Sequence, residues 1–458
     1  MNGNSQEFER YLGDSSGYRG EAERVCLPTS TAELRDVVRA SAAERIPLTV
    51  VGAGTGLTGA SVPHGGWIVS LERFGKIEIE SGRARCGTGA TLRDLQKAAA
   101  KTRQFFGPNP TEDSASIGGI INTNAGGARS FHYGSVRRHV LSLEVTFMDG
   151  RTERLERGQK VDFPVGSIRR PGTTKNSAGY YLAPELEWMD LLAGSEGTLG
   201  IITEAELQLL TEPAGMLSGV VFFPSEDLAM DAVAAWRQVT ELRLLEFLDQ
   251  PALDLLRSRY PEIPAKARAA LLIEQNLTSD DDPEVDAWTE RMAEQEALAE
   301  ESWFGLRETD RERFREFRHA LPVMVVDAVR RNGFPKTGTD YAVPLQHERK
   351  LHSFYKRRCE ELVPGQYSIY GHAGDANNHV NLFPVTAEQA RRVEAMMYEF
   401  AQFVVSLGGT VAAEHGIGKG KTDLLELMYT KAEIGVMKEV KRSLDANWRL
   451  GRGTIFPV

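Results

Sequence analysis

The sequence predicts an α+β protein that is divided into more than one domain. At 458 residues with 41% hydrophobic content, the chain can bury large cores, and its length suits two or three domains. From residue 27 to about residue 211, short apolar or β-branched runs alternate with helical patterns and glycine-rich loops. Beyond Pro213 glycine becomes sparse and helix formers dominate. We therefore expect a domain boundary near residue 212.

The first region, residues 1–212, has the pattern of a mixed α/β domain. Residues 47–51, 67–71 and 143–147 are rich in β-branched and apolar side chains and are predicted to be strands. Residues 31–43 have helical periodicity.

The second region, residues 213–430, is predicted to be richer in helix. Helix formers dominate residues 227–257 and 283–319, with strand-like segments at 219–223 and 270–274. The charged part of the second stretch is typical of a solvated helix face. In a third segment, residues 431–458, a predicted helix at 431–444 precedes a glycine-rich tail, which we expect to return to the first domain.

Charge and cysteine content exclude some classes of function. The net charge of −10 argues against nucleic acid as the main partner, because duplex binding requires clustered cations. Cys26, Cys86 and Cys359 are too far apart to predict a disulfide framework or an iron–sulfur site. No segment has the run of about 18 apolar residues that spans a bilayer. We expect a cytoplasmic protein and leave peripheral contact with the inner membrane open.

A glycine-rich loop at residues 51–60 directly follows a predicted strand. Its glycines permit positive φ angles and close approach of a ligand, and successive N–H groups can point at phosphate oxygens. A dinucleotide-binding loop of the nicotinamide type should open a helix, but Pro63 and two glycines follow here. The loop therefore predicts either a phosphate site of another kind or a structural turn.

Two further loops favour the phosphate site. Residues 107–127 and 194–203 are also rich in Gly, Ser, Thr and Asn. Three such loops in one domain predict a long ligand that carries phosphates and is recognised largely by the backbone.

Together these loops resemble the FAD-binding domain of the vanillyl-alcohol oxidase and p-cresol methylhydroxylase superfamily, over about residues 26–211. The resemblance implies a two-lobed FAD-binding domain and an FAD that lies against all three loops. Some members bind the flavin covalently through a His in the first loop, but Ala53 occupies that region and His64 lies beyond it, so the FAD is expected to be non-covalent. The implied cofactor-binding residues are Gly52, Gly54, Thr55, Gly56, Leu57, Thr58, Pro108, Ser116, Gly119, Asn122, Gly126, Glu196, Gly197 and Ile202.

Two short segments near the C-terminus predict a metal site. His372 and His379 lie in a Gly/Asp/Asn-rich turn between strand-like residues 368–370 and 380–383, and Glu414 and His415 are adjacent in a second segment. Two imidazoles and a carboxylate form a ligand set that leaves metal positions open to substrate. The alternative is that these histidines are structural. Asp375 is expected to stabilise the turn.

The same segments resemble the C-terminal domain of the FAD-linked D-2-hydroxyacid dehydrogenases, whose patterns are GHxGDGNxHxN and AEHGIG. Residues 213–430 are therefore expected to form an α+β substrate-binding cap domain that carries the metal site. Ala376 departs from the usual Gly. The resemblance implies that His372, His379 and Glu414 bind a divalent metal, with zinc the first expectation and manganese the second. It implies that His415 is the catalytic base and that Asn381 contacts the substrate.

The cation for a substrate carboxylate is expected in residues 314–344. Arg318 matches the family's carboxylate-binding arginine, although an ordinary surface arginine is the alternative. Members specific for 2-hydroxyglutarate have Lys two residues before the Asp of the later strand. Here Gly338 occupies that position and Lys336, which we also count as substrate-binding, lies four residues before Asp340. This departure, with Pro322, weakens a dicarboxylate assignment.

The tail at residues 444–456 resembles the family's LDPNGLLNPGKIF ending, with departures at Ala446 and at residues 451–452. The resemblance places Asn447 near the flavin.

The sequence therefore predicts FAD-dependent oxidation of a D-2-hydroxy acid, D-lactate-like, to the 2-oxo acid. Electrons would pass to a quinone, a cytochrome, an electron-transfer flavoprotein or an iron–sulfur subunit, and a homodimer is left open. Two alternatives remain: a flavin oxidase of another alcohol or sugar, and an FAD-binding electron-transfer subunit of a larger complex.

Overall fold

The computed structural model describes residues 8–279, 281–334 and 337–457 and has the α+β architecture that the sequence predicts. Its first region is built on three small sheets. The strands of this region are β1 (Arg24–Cys26), β2 (Leu48–Val51), β3 (Trp67–Ser70), β4 (Ile77–Glu80), β5 (Arg83–Gly87), β6 (Gln104–Phe105), β7 (Val140–Thr146), β8 (Thr152–Glu156), β9 (Ile201–Gln208) and β10 (Leu210–Thr211).

The sheets of the first region differ in strand direction. Strands β1 and β2 flank β3 in a parallel sheet, and a five-stranded sheet with the order β4-β5-β9-β7-β8 is antiparallel. β6 and β10 form an antiparallel pair. The helices that pack on these sheets are α1 (Thr31–Glu44), α2 (Leu92–Ala100), α3 (Ile117–Asn122), α4 (Ser130–Tyr133) and α5 (Trp188–Leu192).

The second region is organised by one antiparallel sheet of seven described strands. Its central strands are apolar on both faces because helices cover both sides. The strands are β11 (Gly215–Phe223), β12 (Leu242–Leu248), β13 (Ala269–Leu277), β14 (Trp303–Gly305), β15 (Thr337–Gly338), β16 (Tyr367–His372) and β17 (Asn377–Leu382). Their order in the sheet is β14-β11-β13-β12-β16-β17-β15.

Alternate residues of this sheet pack on different helices. Val221 and Phe223 share a core with the helices at Glu226–Trp236 and Glu284–Glu294, whereas Val220 and Phe222 face the helices at Gln250–Leu256 and Glu308–Asn332. Among the described residues, no helix is long and apolar enough to cross a membrane. The helices of the region are α6 (Glu226–Trp236), α7 (Gln250–Leu256), α8 (Glu284–Glu294), α9 (Glu308–Asn332), α10 (Glu348–Leu362) and α11 (Ala387–Ser406).

The stretch at residues 227–257, where helix formers dominate, is not one helix. Strand β12 lies between α6 and α7, and each of its residues is buried between β13 and β16. Burial on both faces removes the period-two alternation that marks a half-exposed strand, and leucine suits either structure. The tertiary environment therefore decides the conformation here.

The turn between β16 and β17 places two of the predicted site residues. It contains a short 3-10 helix, Ala373–Asp375, followed by Ala376 with a left-handed φ of 50°. An alanine pays about 1–2 kcal/mol for this conformation, which glycine adopts freely. The turn nevertheless brings His372 and His379 to neighbouring positions, with ring centroids 5.4 Å apart.

The C-terminal segment lies against the first region. After α12 (Thr422–Met428), helix α13 (Lys431–Leu444) begins at a capping box of Thr430 and Glu433. The tail then runs beside β2, where the Leu48 N–H donates to the Arg449 carbonyl at 2.7 Å. Lys441 Nζ, on α13, donates to the Thr198 carbonyl at 2.6 Å, so this helix also contacts the third glycine-rich loop.

A buried charge cluster joins the two regions. Arg129, beside α4, and Arg243 on β12 donate to the Glu274 carboxylate on β13, with Nε to Oε2 distances of 2.9 and 2.8 Å. Burial alone would raise the pKa of Glu274, but the two guanidinium groups outweigh it and lower the pKa to about 2.

Replacing Glu274 by Gln is expected to destabilise the protein at neutral pH by about 3 kcal/mol. Because the folded-state pKa is depressed, the contribution of Glu274 is present above about pH 4.5 and is lost as the pH falls towards 2. Urea midpoints for wild type and Glu274→Gln should therefore converge in acid. Glu300→Gln, an exposed glutamate, is the control, and equal midpoints for all three proteins at pH 7 would contradict the expectation.

Candidate active site

The three glycine-rich loops of the first region surround one cleft, whose empty space, including the part open to solvent, is about 800 Å³. The fold brings together segments separated by more than a hundred residues in the sequence. The predicted cofactor residues that line the cleft are Gly52, Gly54, Thr55, Gly56, Thr58, Ser116, Gly119, Asn122, Glu196, Gly197 and Ile202.

Side-chain hydrogen bonds hold these loops in place. Ser116 caps α3 by accepting from the Gly119 N–H at 3.1 Å. Asn122, at the end of α3, accepts from the Gly197 N–H at 2.8 Å and so joins the second loop to the third. A Cβ added to Gly52 would lie 2.2 Å from Ser116 Oγ, so the first loop can come this close to the second only because residue 52 is a glycine.

The first loop suits a phosphate group. Among the described residues, no backbone hydrogen bond uses an N–H of residues 53–58 as its donor, and Gly54 has a φ of 70°. Backbone N–H groups in such loops form an anion-binding cradle. Ala53, Ser61 and Thr88 also line the cleft, although the sequence analysis did not identify them.

Several predicted residues lie elsewhere. Leu57 does not line the cleft and is 51% exposed, and Pro108 is buried in the loop after β6. Gly126 lies beside Glu414, one of the predicted metal ligands, because a Cβ added at Gly126 would lie 2.3 Å from Glu414 Oε1. Asn447 lies in a separate surface pocket with Pro47. Lys336 lies outside the described residues.

His372, His379 and Glu414 form a compact cluster. One ligand atom from each lies within 4.8 Å of the others, and His372 Nε2 is 3.3 Å from Glu414 Oε2. Ligand atoms around a tetrahedral zinc ion, with bonds of about 2.0–2.1 Å, are separated by about 3.3 Å. The cluster is therefore of a size that suits a metal.

The second nitrogen of each imidazole is already engaged. His372 Nδ1 contacts the Glu246 carboxylate, and His379 Nδ1 lies 2.9 Å from the Thr339 carbonyl. These contacts leave Nε2 of both rings for the cluster and fix the ring orientations, as in metal sites whose histidines are oriented by outer-shell carboxylates and carbonyls.

Charges around the cluster are compensated. Lys175 Nζ lies 2.7 Å from Glu414 Oε1 and 3.1 Å from Asp375 Oδ2. Burial disfavours the charged form of Glu414, but Lys175 and His372 outweigh burial and hold the pKa of this carboxyl well below its usual range. Burial, together with the His372 and His415 rings, lowers the pKa of His379 to about 4. At neutral pH Glu414 is a carboxylate and His379 is unprotonated, as metal ligation requires. Burial lowers the pKa of His372, but the Glu414 and Glu246 carboxylates outweigh burial and raise it, so a metal would displace a proton from this ring.

His415 lies between this cluster and the cleft of the glycine-rich loops. Its ring is nearly parallel to that of His379, with an interplanar angle of 8° and a centroid distance of 5.9 Å. It also lines the cleft formed by the three loops. Asp340 Oδ2 lies 3.5 Å from His415 Nδ1, which places a buried carboxylate behind the ring.

Two further predicted residues lie close by. Asn381 is two residues from His379 on β17 and therefore on the same face of the strand. Arg318 on α9 contacts the Glu246 carboxylate through Nε, and its Nη1 donates to Thr111 Oγ1 at 3.2 Å, on the wall of a cavity between the two regions.

Glu246, Lys175 and Asp340 were not among the predicted site residues. Glu246 is the only acidic residue of β12, whose other charged residue is Arg243. An isolated acid in a strand with buried neighbours is the signal that would have identified it. Lys175 and Asp340 lie in segments whose sequence does not indicate which residues they meet.

Comparison with known proteins agrees with this geometry. Residues 22–156 match the family described as FAD binding domain, and residues 212–455 match FAD linked oxidases, C-terminal domain. The chain belongs to the family of FAD-linked oxidases. Its FAD-binding domain and its identity as an FAD-linked oxidoreductase follow from this membership.

Relatives match over most of the chain. A D-lactate dehydrogenase of Archaeoglobus fulgidus is 31% identical over 94% of this chain and 90% of its own. The glycolate oxidase subunit GlcD of Bacillus subtilis is 29% identical over 96% and 90%, and a D-2-hydroxyglutarate dehydrogenase of Xanthomonas citri pv. viticola is 29% identical over 94% and 89%.

A solved structure of alkyldihydroxyacetonephosphate synthase has a TM-score of 0.67 at 14% identity, and the match covers 93% of this chain and 75% of that chain. This likeness shows the fold alone. Together with the matched FAD binding domain, it confirms the predicted FAD-binding fold of the vanillyl-alcohol oxidase type.

Gly52→Ala is expected to weaken FAD binding about tenfold or more, because crowding Ser116 costs about 1–3 kcal/mol. Gly75→Ala is the matched control, since a Cβ there meets no atom within 4 Å. The measurement is the FAD dissociation constant after removal and return of the cofactor. Equal constants for both variants would contradict the placement of Gly52 in the cofactor site.

Proposed function

We propose that the protein oxidises a D-2-hydroxy acid, D-lactate-like, to the 2-oxo acid in an FAD-dependent reaction. The observation that carries this proposal is the position of His415, which lines the flavin cleft and stacks on His379 of the second cluster. One substrate molecule placed there would meet a proton acceptor and a hydride acceptor together. The relatives named for D-lactate, glycolate and D-2-hydroxyglutarate support the substrate class.

Two bound groups complete this site. FAD, when bound, supplies the acceptor for the hydrogen at C2 and its electron pair. A divalent metal, zinc or in second place manganese, would be held by His372, His379 and Glu414 and would lower the pKa of the substrate hydroxyl. His64 does not line the flavin cleft, and Ala53 cannot attach a flavin, which supports non-covalent FAD.

In this proposal His415 is the catalytic base. The hydroxyl proton passes to His415, and we assign it to Nε2 because Nδ1 faces Asp340. The Asp340 carboxylate stabilises the imidazolium that forms. Loss of the C2 hydrogen with its electron pair then leaves the C2=O bond of the 2-oxo acid, so that two electrons and two hydrogens leave the substrate.

Arg318 and Asn381 are assigned to substrate binding. Arg318 offers a guanidinium at the cavity between the two regions, but Glu246 occupies its Nε. A substrate carboxylate would therefore be bound through the Nη groups, beside the Thr111 hydroxyl. The reoxidation partner would be a quinone, a cytochrome, an electron-transfer flavoprotein or an iron–sulfur subunit.

His415→Ala is expected to slow anaerobic flavin reduction by D-lactate by about 10²–10⁴-fold, the usual contribution of a general base. FAD content should be unchanged, since the backbone of residue 415 remains. His347→Ala is the control, because His347 is neither one of the proposed metal ligands nor part of the lining of the flavin cleft. Reduction of His415→Ala at the wild-type rate would show that the proposed base is wrong.

His379→Ala is expected to purify with less than half of the wild-type metal per chain, because ligand removal usually lowers affinity by about 10–100-fold or more. Elemental analysis of the purified proteins provides the measurement, again with His347→Ala alongside. Full metal content together with full activity in His379→Ala would contradict the ligand assignment.

A further inference from the structure

The loop at residues 414–418 is held by side chains at every backbone N–H. Such consecutive fixation by side chains replaces the hydrogen bonds of a helix or strand. The N–H groups of Glu414 and His415 donate to the Asp340 carboxylate at 3.2 and 2.8 Å, and the Gly416 N–H donates to Ser177 Oγ at 3.1 Å. The N–H groups of Ile417 and Gly418 donate to the Glu196 carboxylate at 2.8 and 2.7 Å.

The acceptors come from both regions of the fold. Ser177 and Glu196 precede the boundary near residue 212, whereas Asp340 follows it. The loop that carries His415 is therefore fixed to the flavin domain on one side and to the second region on the other.

Both the backbone and the carboxylate of Glu196 are held in place at this contact. It has a left-handed φ of 54°, and its own N–H donates to the Asn122 carbonyl at 2.8 Å. Its two carboxylate oxygens accept from two successive N–H groups of the loop. A Cβ at Gly416 would come within 2.7 Å of this carboxylate, so the loop passes it at a glycine with a φ of 76°.

This use of both oxygens distinguishes Glu196 from the other residues of the cleft. Although Glu196 lines the flavin cleft, its carboxylate is buried and directed at the loop. Burial raises its pKa to about 7, against the opposing effect of the two N–H donors, so the carboxylate predominates above that pH.

We propose that Glu196 is a positioning residue for His415, which sets the base relative to the flavin cleft by fixing the backbone of residues 416–418. This inference rests on the proposed function, because it assigns Glu196 a role only through the base. It departs from the expectation that Glu196 contacts the cofactor.

The test uses Glu196→Gln in the FAD-loaded protein at about pH 8, above the raised pKa. The amide has one oxygen for two N–H donors, so the loop should shift and flavin reduction by D-lactate should slow by about 10–100-fold. FAD content should stay at the wild-type value. Glu185→Gln is the matched control, since Glu185 also has a left-handed φ, 56°, but is exposed.

A double variant separates positioning from general loss of structure. If Glu196 acts through His415, then Glu196→Gln combined with His415→Ala should reduce its flavin no more slowly than His415→Ala alone. Additive losses, loss of FAD from folded Glu196→Gln, or a wild-type rate in Glu196→Gln would each overturn the inference. A wild-type rate in His415→Ala alone would instead refute the proposed function, and the inference with it.

If Glu196→Gln does not fold, Ser177→Ala provides the same test. It removes the acceptor of the Gly416 N–H from the same loop. Ser177→Ala is expected to slow flavin reduction when His415 is present and to have no further effect when it is combined with His415→Ala. An unchanged or additive rate would overturn the inference.

Discussion

The site depends on the backbone of residues 414–418, which carries Glu414 and His415 into the contact between the two regions. Every backbone N–H of this loop donates to a side chain, and the acceptors are Asp340, Ser177 and Glu196. Because the loop is anchored on both sides, a small movement of one region against the other would displace His415 from the cleft or Glu414 from His372.

Charge alternation allows so many ionisable groups to be buried together. From the cavity between the regions inward, Arg318 contacts Glu246, Glu246 contacts His372, His372 faces Glu414, and Glu414 contacts Lys175. A buried charge without a partner costs several kcal/mol, so each group holds its neighbour in place. Removing one member should therefore affect both the proposed metal ligands and the guanidinium proposed to bind the substrate.

The sequence predicted the fold class and the family, and it singled out His372, His379, Glu414 and His415 because they lie in two short motifs. It did not identify Glu246, because the residues around it were not recognised as a buried strand and its partner His372 lies 126 residues away. Strand β12 was missed because burial on both faces hides its period.

The most direct measurement is anaerobic mixing of the FAD-loaded protein with D-lactate, glycolate, D-2-hydroxyglutarate and D-malate, with L-lactate as the stereochemical control. A site in which His415 and the flavin cleft act on one hydroxy acid predicts that at least one D-acid or glycolate bleaches the yellow flavin, whereas L-lactate does not. Flavin that stays yellow with every acid, yet is bleached by dithionite, would contradict it.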